Sequence, residues 1–170
     1  MDVGNEHLND DAATKIGASF GRQGFMRTLG AELTVVESGK VQIEVASSDA
    51  LGQQHGYLHA GVTMALIDTA CGYAALSLAA TDVEVVTVEL KINLLAPALG
   101  DRLRAVGRVL RRGRTLTVCQ GDGFIIDRRH SCRGCIGHDD DDTAAPANLI
   151  RARASPASRS SAGHCCEPGR

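Results

Sequence analysis

The sequence predicts an α+β domain in which an antiparallel sheet wraps one long central helix. Three observations lead there. Residues 31–37 and 40–47 alternate apolar and polar side chains around Ser38-Gly39, the pattern of a hairpin with one buried face. Residues 61–79 read as one helix of small and aliphatic residues, apolar on most sides and so suited to burial under a sheet. Three further strands then follow, at 83–95, 101–111 and 114–127. Helix, two strands, long helix, then strands is the order expected when one sheet covers one helix.

The elements can be justified in chain order. Residues 8–27 are weakly amphipathic, with Ile16, Phe20 and Phe25 as expected contacts, and GRQGFMRTLG reads as a glycine-rich turn. After the hairpin, residues 49–59 form a loop. The strand VEVVTVELKINLL ends at Ala96-Pro97, where proline removes a ladder donor. DRLRAVGRVLR alternates around Gly107, and RTLTVCQGDGFIID follows the turn at Arg112-Gly113. Beyond Asp127 aliphatic periodicity stops, and residues 128–170, with four consecutive aspartates, read as a disordered tail. The expected division is therefore 1–28 helical segment, 29–127 domain, 128–170 tail.

Composition narrows the function classes. The 170 residues suit a single domain, and 3% aromatics with no Trp call for an aliphatic core. A net charge of −2 offers no basic field for nucleic acid. No uninterrupted apolar run reaches the ~18 residues of a membrane span, and the polar start MDVGNEHLND is unlike a secretory signal. Of six cysteines only Cys71 and Cys119 fall within the apolar pattern, as small buried core residues. A cytoplasmic protein is the expectation.

The chemistry gathers at HAGVTMALID. Ala60 and Gly61 stand at the start of the long helix, where backbone N–H groups lack intrahelical partners and can stabilise a developing oxyanion. Asp68 lies inside the helix, where a carboxylate is costly unless it has a partner or a task. The two features are eight residues apart, about 12 Å. A single carbonyl does not easily meet both on one helix, so the motif calls for two subunits with composite sites.

HGYLHAGVTMALIDTACGYAA, VVTVELKINLLAPA and GRVLRRGRTLTVCQGD together resemble the PaaI-like branch of the hotdog-fold acyl-CoA thioesterases, within the 4-hydroxybenzoyl-CoA thioesterase superfamily. Three separated segments match in order over roughly residues 20–127. The resemblance implies a hotdog fold, hydrolysis of coenzyme A thioesters without metal or organic cofactor, and a homodimer or homotetramer. It gives Asp68 the role of nucleophile or general base and makes His59 the motif histidine. Ala60 stands where the family usually has its first glycine, and the oxyanion donor is the N–H of Ala60 or Gly61. Gln53 or Gln54 takes the place of an upstream amide, and Thr87 falls where some relatives carry a hydroxyl near the attacking water. Arg111, Arg112 and Arg114 suit the phosphates of coenzyme A. Met64 and Leu90 are candidates for the acyl pocket.

Structural alternatives stand beside these roles. His59 can simply orient its turn, Gln53 and Gln54 can be ordinary loop residues, Thr87 a strand filler, and the arginines a solvated hairpin end. A non-catalytic acyl-CoA-binding module on the same fold, a hotdog hydratase or an inactive truncated homologue are the competing functions. In the tail, HSCRGCIGH pairs C-x-x-C with two histidines, yet four ligands within nine residues leave little chain to wrap zinc. Hotdog relatives carry one more strand at this point, and here it is expected to be missing. Back-translating HSCRGCIGHDDDD with GC-rich codons and reading one base later can give a sequence that resembles the absent strand, and the hypothesis is a reading-frame change in the gene or its sequencing.

Overall fold

A computed structural model describes residues 10–127 and 147–154. Helices α1 (Asp10–Arg22) and α2 (Gly24–Leu29) precede the hairpin β1 (Glu32–Glu37) and β2 (Lys40–Ala46), the core helix α3 (Ala60–Ser77), and strands β3 (Val83–Glu89), β4 (Arg102–Arg112), β5 (Leu116–Ile126) and β6 (Ala147–Ala154). Among the described residues all pairings are antiparallel, in the order β1-β2-β4-β5-β6-β3, with β1 and β3 at the two edges. The sheet curls around α3. This is the hotdog architecture expected from the sequence.

Alternation decides which face is inside. Val41, Ile43 and Val45 of β2 and Leu103 and Ala105 of β4 are buried against Leu66, Ala70, Cys71 and Ala74 of α3. A fully buried Leu or Ile contributes about 1.5–3 kcal/mol, so these layers dominate stability. Contact is closest at Gly107, where a Cβ would sit 2.4 Å from the backbone of Ala70 and Cys71. Only glycine lets β4 come so near the helix. At the other end of α3, Ser77 Oγ donates to Ala74 O at 2.7 Å and accepts the Gly39 N–H at 2.8 Å, fixing the helix end to the β1–β2 turn. Gly39 itself has φ 72°, the left-handed conformation that the Ser38-Gly39 turn requires. On the outer face, Glu44 is held between Arg102 (3.1 Å) and Arg104 (2.8 Å).

Among the described residues α3 is the one helix long and apolar enough to cross a membrane by length and composition, with 18 residues and mean hydropathy 1.2. It is the core helix of this domain, with the sheet wrapped around it. Its neighbour α1 seats Ile16 in the core, packs Phe20 against Tyr73 with tilted rings 6.0 Å apart, and sends Lys15 Nζ to the carbonyls of Thr81 (2.9 Å) and Val83 (2.7 Å) at the start of β3.

Four local expectations are corrected. GRQGFMRTLG is not all turn: GFMRTL forms α2, ended by Gly30 at φ 68°. Phe25 is 59% exposed and is not a core contact; Met26 and Leu29 take that role, because the helical period turns Phe25 outward. The strand expected over 83–95 stops at Glu89, and Leu90–Gly100 runs as irregular chain. The strand expected to be missing after β5 is present: Ala147–Ala154, inside the segment assigned to the tail, pairs with β5 on one side and β3 on the other. Its ANLIRARA sequence has too few apolar residues to signal a strand alone. HSCRGCIGH and residues 155–170 lie outside the described residues.

Candidate active site

The start of α3 is built by its preceding loop. His59 N–H bonds Leu51 O at 2.9 Å, Leu58 N–H bonds Ala98 O at 2.9 Å, and Gln53 N–H bonds Tyr57 O at 2.8 Å. These bonds fix the entry into the helix. His59 is the N-cap, and its Nδ1 accepts the Gly61 N–H at 2.9 Å. The Gly61 N–H is thereby engaged, while the Ala60 N–H has no hydrogen-bond partner among the described residues. Of the two oxyanion donors expected from sequence, Ala60 is the one left open.

Ala60 opens onto a cleft of about 390 Å³, lined also by Gln53, Tyr57, Leu58, Thr63 and the Leu94–Ala98 segment. No side chain of the lining is charged. Gln53 is half-buried and its Oε1 accepts the His55 N–H at 2.6 Å, whereas Gln54 is exposed and does not line the cleft. The geometry thus separates the two glutamines. Tyr57, Thr63 and Leu94–Ala98 were not singled out from sequence. The apolar run before Pro97 was visible there, but it was assigned to a strand, which would have directed its side chains elsewhere.

Asp68 is half-buried, two turns further along α3, and Oδ1 accepts the Thr87 hydroxyl at 2.7 Å. Val83, Val85 and Thr87 share one face of β3 by strand alternation, so the hydroxyl is aimed at the helix. Asp68 does not line the cleft at Ala60, as the helix rise of about 12 Å requires. Met64 lies one turn before Asp68 and is 44% exposed, on a side of the helix that the sheet leaves open. Leu90 is half-buried just after β3 and does not line the cleft. Arg111, Arg112 and Arg114 are exposed together at the β4–β5 turn, closed by Gly113 N–H to Leu116 O at 2.9 Å.

Neither buried cysteine is placed for nucleophilic work. Burial, and then the nearby Cys71, push the Cys119 thiol up to about 12, so the reactive thiolate is suppressed. Among the described residues no three His, Cys, Asp or Glu side chains form a metal-ligand group.

A curled sheet around one helix, with an open N–H at the helix start and a hydroxyl-bonded carboxylate in its middle, defines the class as a hotdog-fold protein. A family profile described as the thioesterase superfamily matches residues 55–132. A candidate esterase of Halobacterium salinarum is 33% identical over 116 residues, 65% of this chain and 76% of that protein. Another candidate esterase, of Saccharolobus solfataricus, is 35% identical over 85 residues, half of this chain, and the match spans only 60% of its length. The 1,4-dihydroxy-2-naphthoyl-CoA hydrolase of Listeria monocytogenes is 28% identical over 95 residues, 56% of this chain and 77% of that protein. Among solved structures, a thioesterase family protein of Silicibacter pomeroyi superposes with TM-score 0.72 at 36% identity, covering 85% of this chain and 99% of its own. The E. coli PaaI protein, at 18% identity and TM-score 0.65 over 85% of this chain and 93% of its own, shares the fold. The chain belongs to the hotdog-fold thioesterase superfamily.

Proposed function

We propose that this protein hydrolyses acyl-CoA thioesters in a homodimer or dimer of dimers, with each site shared between two subunits. The observation that carries the reading is the separation of its two halves on one helix. Asp68 with Thr87 lies about 12 Å from the open Ala60 N–H. An antiparallel pair of such helices brings the carboxylate of one subunit to the donor of the other.

In that arrangement the thioester carbonyl oxygen points at the Ala60 N–H. Asp68 either takes a proton from water as the water attacks the carbonyl carbon, or attacks that carbon itself to form an anhydride that water then cleaves. Negative charge collects on the carbonyl oxygen, where the helix-start N–H stabilises it. The tetrahedral centre collapses, the C–S bond breaks, and coenzyme A leaves as a thiolate. Thiolate is a good leaving group, so no cofactor is needed for this route. Thr87 holds the carboxylate in place, Gln53 offers its amide N–H to the same cleft, and His59 keeps the Gly61 N–H out of competition. Arg111, Arg112 and Arg114 pair with the nucleotide phosphates. The uncharged cleft and Met64 accept the acyl group.

The test is release of free thiol from a panel of acyl-CoAs by the wild type and Asp68→Ala, with acyl-CoA affinity measured alongside. Hydrolysis lost with affinity kept supports the enzyme. A non-catalytic binder is indicated instead if the wild type binds acyl-CoA without turnover. The shared site has its own test at the β3 edge, where Val88 is 56% exposed. A charge on an edge strand blocks pairing, so Val88→Lys should yield monomers by sedimentation and lose turnover together.

A further inference from the structure

The sixth strand bears on the site as well as on the sheet. Among the described residues strand β3 is an edge, with β6 as its one sheet neighbour. Burial along β3 is uneven: Val83–Val85 are half-buried, whereas Val86–Glu89, the part that carries Thr87, are exposed. Lys15 anchors only the beginning of the strand, through Thr81 O and Val83 O. The end bearing Thr87 is thus held mainly by its ladder to β6 and by its bond to Asp68.

The register is specific. Ile150 stands opposite Thr87 on one side and opposite Thr117 on the other. Directly opposed residues share a face, with Cβ atoms about 4.5–5.5 Å apart. Thr117, Ile150 and Thr87 therefore form a row across three strands facing α3. Ile150 is fully buried in the core cluster with Leu66, Ile67 and Ala70, and Thr117 is buried beside it. Just past Thr87 the register shifts: Glu89 pairs with Leu149, leaving Val88 as an extra residue. Such a bulge redirects the strand and re-aims neighbouring side chains. Ile150 is the last regular pairing before that break.

We propose that Ile150 is a positioning residue for the candidate active site, acting through Thr87 on the orientation of the Asp68 carboxylate. The inference rests on the hydrolase reading above. It makes residues 147–154, in a segment whose composition reads as a tail, a working part of the site. Removing Ile150's side-chain volume lets the outer end of β3 shift. Thr87 Oγ1 then loses its 2.7 Å bond, and Asp68 gains rotamer freedom it does not have now.

The experiment is a double-mutant cycle in the full chain, with hydrogen exchange as a readout independent of activity. Ile150→Ala is expected to lower kcat about tenfold while KM moves less than about twofold, and the conservative Ile150→Val to stay near wild type. Thr87→Ala/Ile150→Ala should be no slower than Thr87→Ala, because the second change acts only through the hydroxyl already removed. In Ile150→Ala the amides of β3 should exchange faster while those of β2 and β4 keep their protection. Multiplicative kcat losses in the cycle overturn the proposal, as does unchanged β3 exchange. A wild type without turnover overturns the hydrolase reading alone, and β3 exchange then decides whether Ile150 holds Thr87. If Ile150→Ala does not fold, Ile150→Leu, whose branch point no longer matches the packed β-branched shape, takes its place in the cycle and is read by the same kcat and β3-exchange criteria.

Discussion

The two ends of the sheet are built differently. On the β1-β2-β4-β5 side, Val41, Ile43, Leu103, Ala105 and Cys119 are buried against α3, and the outer face is laced by the Glu44 ion pairs with Arg102 and Arg104. Toward β3 the outer strand and the chain after it stay uncovered: Val88 is 56% exposed, Leu95 94% and Leu99 66%. The candidate site draws its hydroxyl from this open side, and the cleft wall at Leu94–Ala98 belongs to it. One side of the sheet holds the fold, and the other stays open beside the candidate site.

The largest effect expected is on the packed side. Gly107→Val drives a side chain into the backbone of Ala70 and Cys71, and should destabilise by about 3 kcal/mol or more, read as loss of cooperative unfolding. A folded, stable variant would break the comparison at its strongest point. Asp68→Asn should lower kcat by about 10²–10⁴-fold with little change in the unfolding midpoint, since the amide oxygen still accepts from Thr87. A paired test sharpens the contrast: Ile43→Ala should cost roughly 2–5 kcal/mol in denaturant unfolding, Leu95→Ala less than about 0.5 kcal/mol. Similar losses would mean that the exposed loop is structural after all.

The smallest effect is on pH dependence. Burial raises the Cys119 thiol from its ordinary 9.0 to about 12. The folded state therefore keeps a proton that the unfolded chain releases first. Its contribution is full below pH 9 and is lost as pH rises toward about 12. Thermal melts across that range should show a decline that is shallower in Cys119→Ala.

Much of this was legible beforehand because its signals are local. Alternation in β2, β4 and β5, the Ser38-Gly39 turn, and the apolar run with its embedded Asp68 all lie within short windows. Those windows, and three matched segments, were enough for the hotdog fold and the family. Legibility failed where neighbours decide. Leu90–Leu95 alternates well enough for a strand, but the chain leaves the sheet after the Val88 bulge, and Leu94 and Leu95 come to line the cleft. Ala147–Ala154 has a weak strand signal by itself, and its place depends on an open position between β5 and β3.

The sequence by itself determined the core helix, the strands that enclose it, and the residue types available for chemistry, because periodicity and turn chemistry act over a few residues. Only the tertiary structure decided which of them meet. It gave the Gly61 N–H to His59 and left Ala60 open, put Gln53 rather than Gln54 in the cleft wall, and brought Thr87 to Asp68 across nineteen positions of chain. Hydrogen bonds of that kind are set by how strands and helix are stacked, and stacking is a property of the whole packed chain.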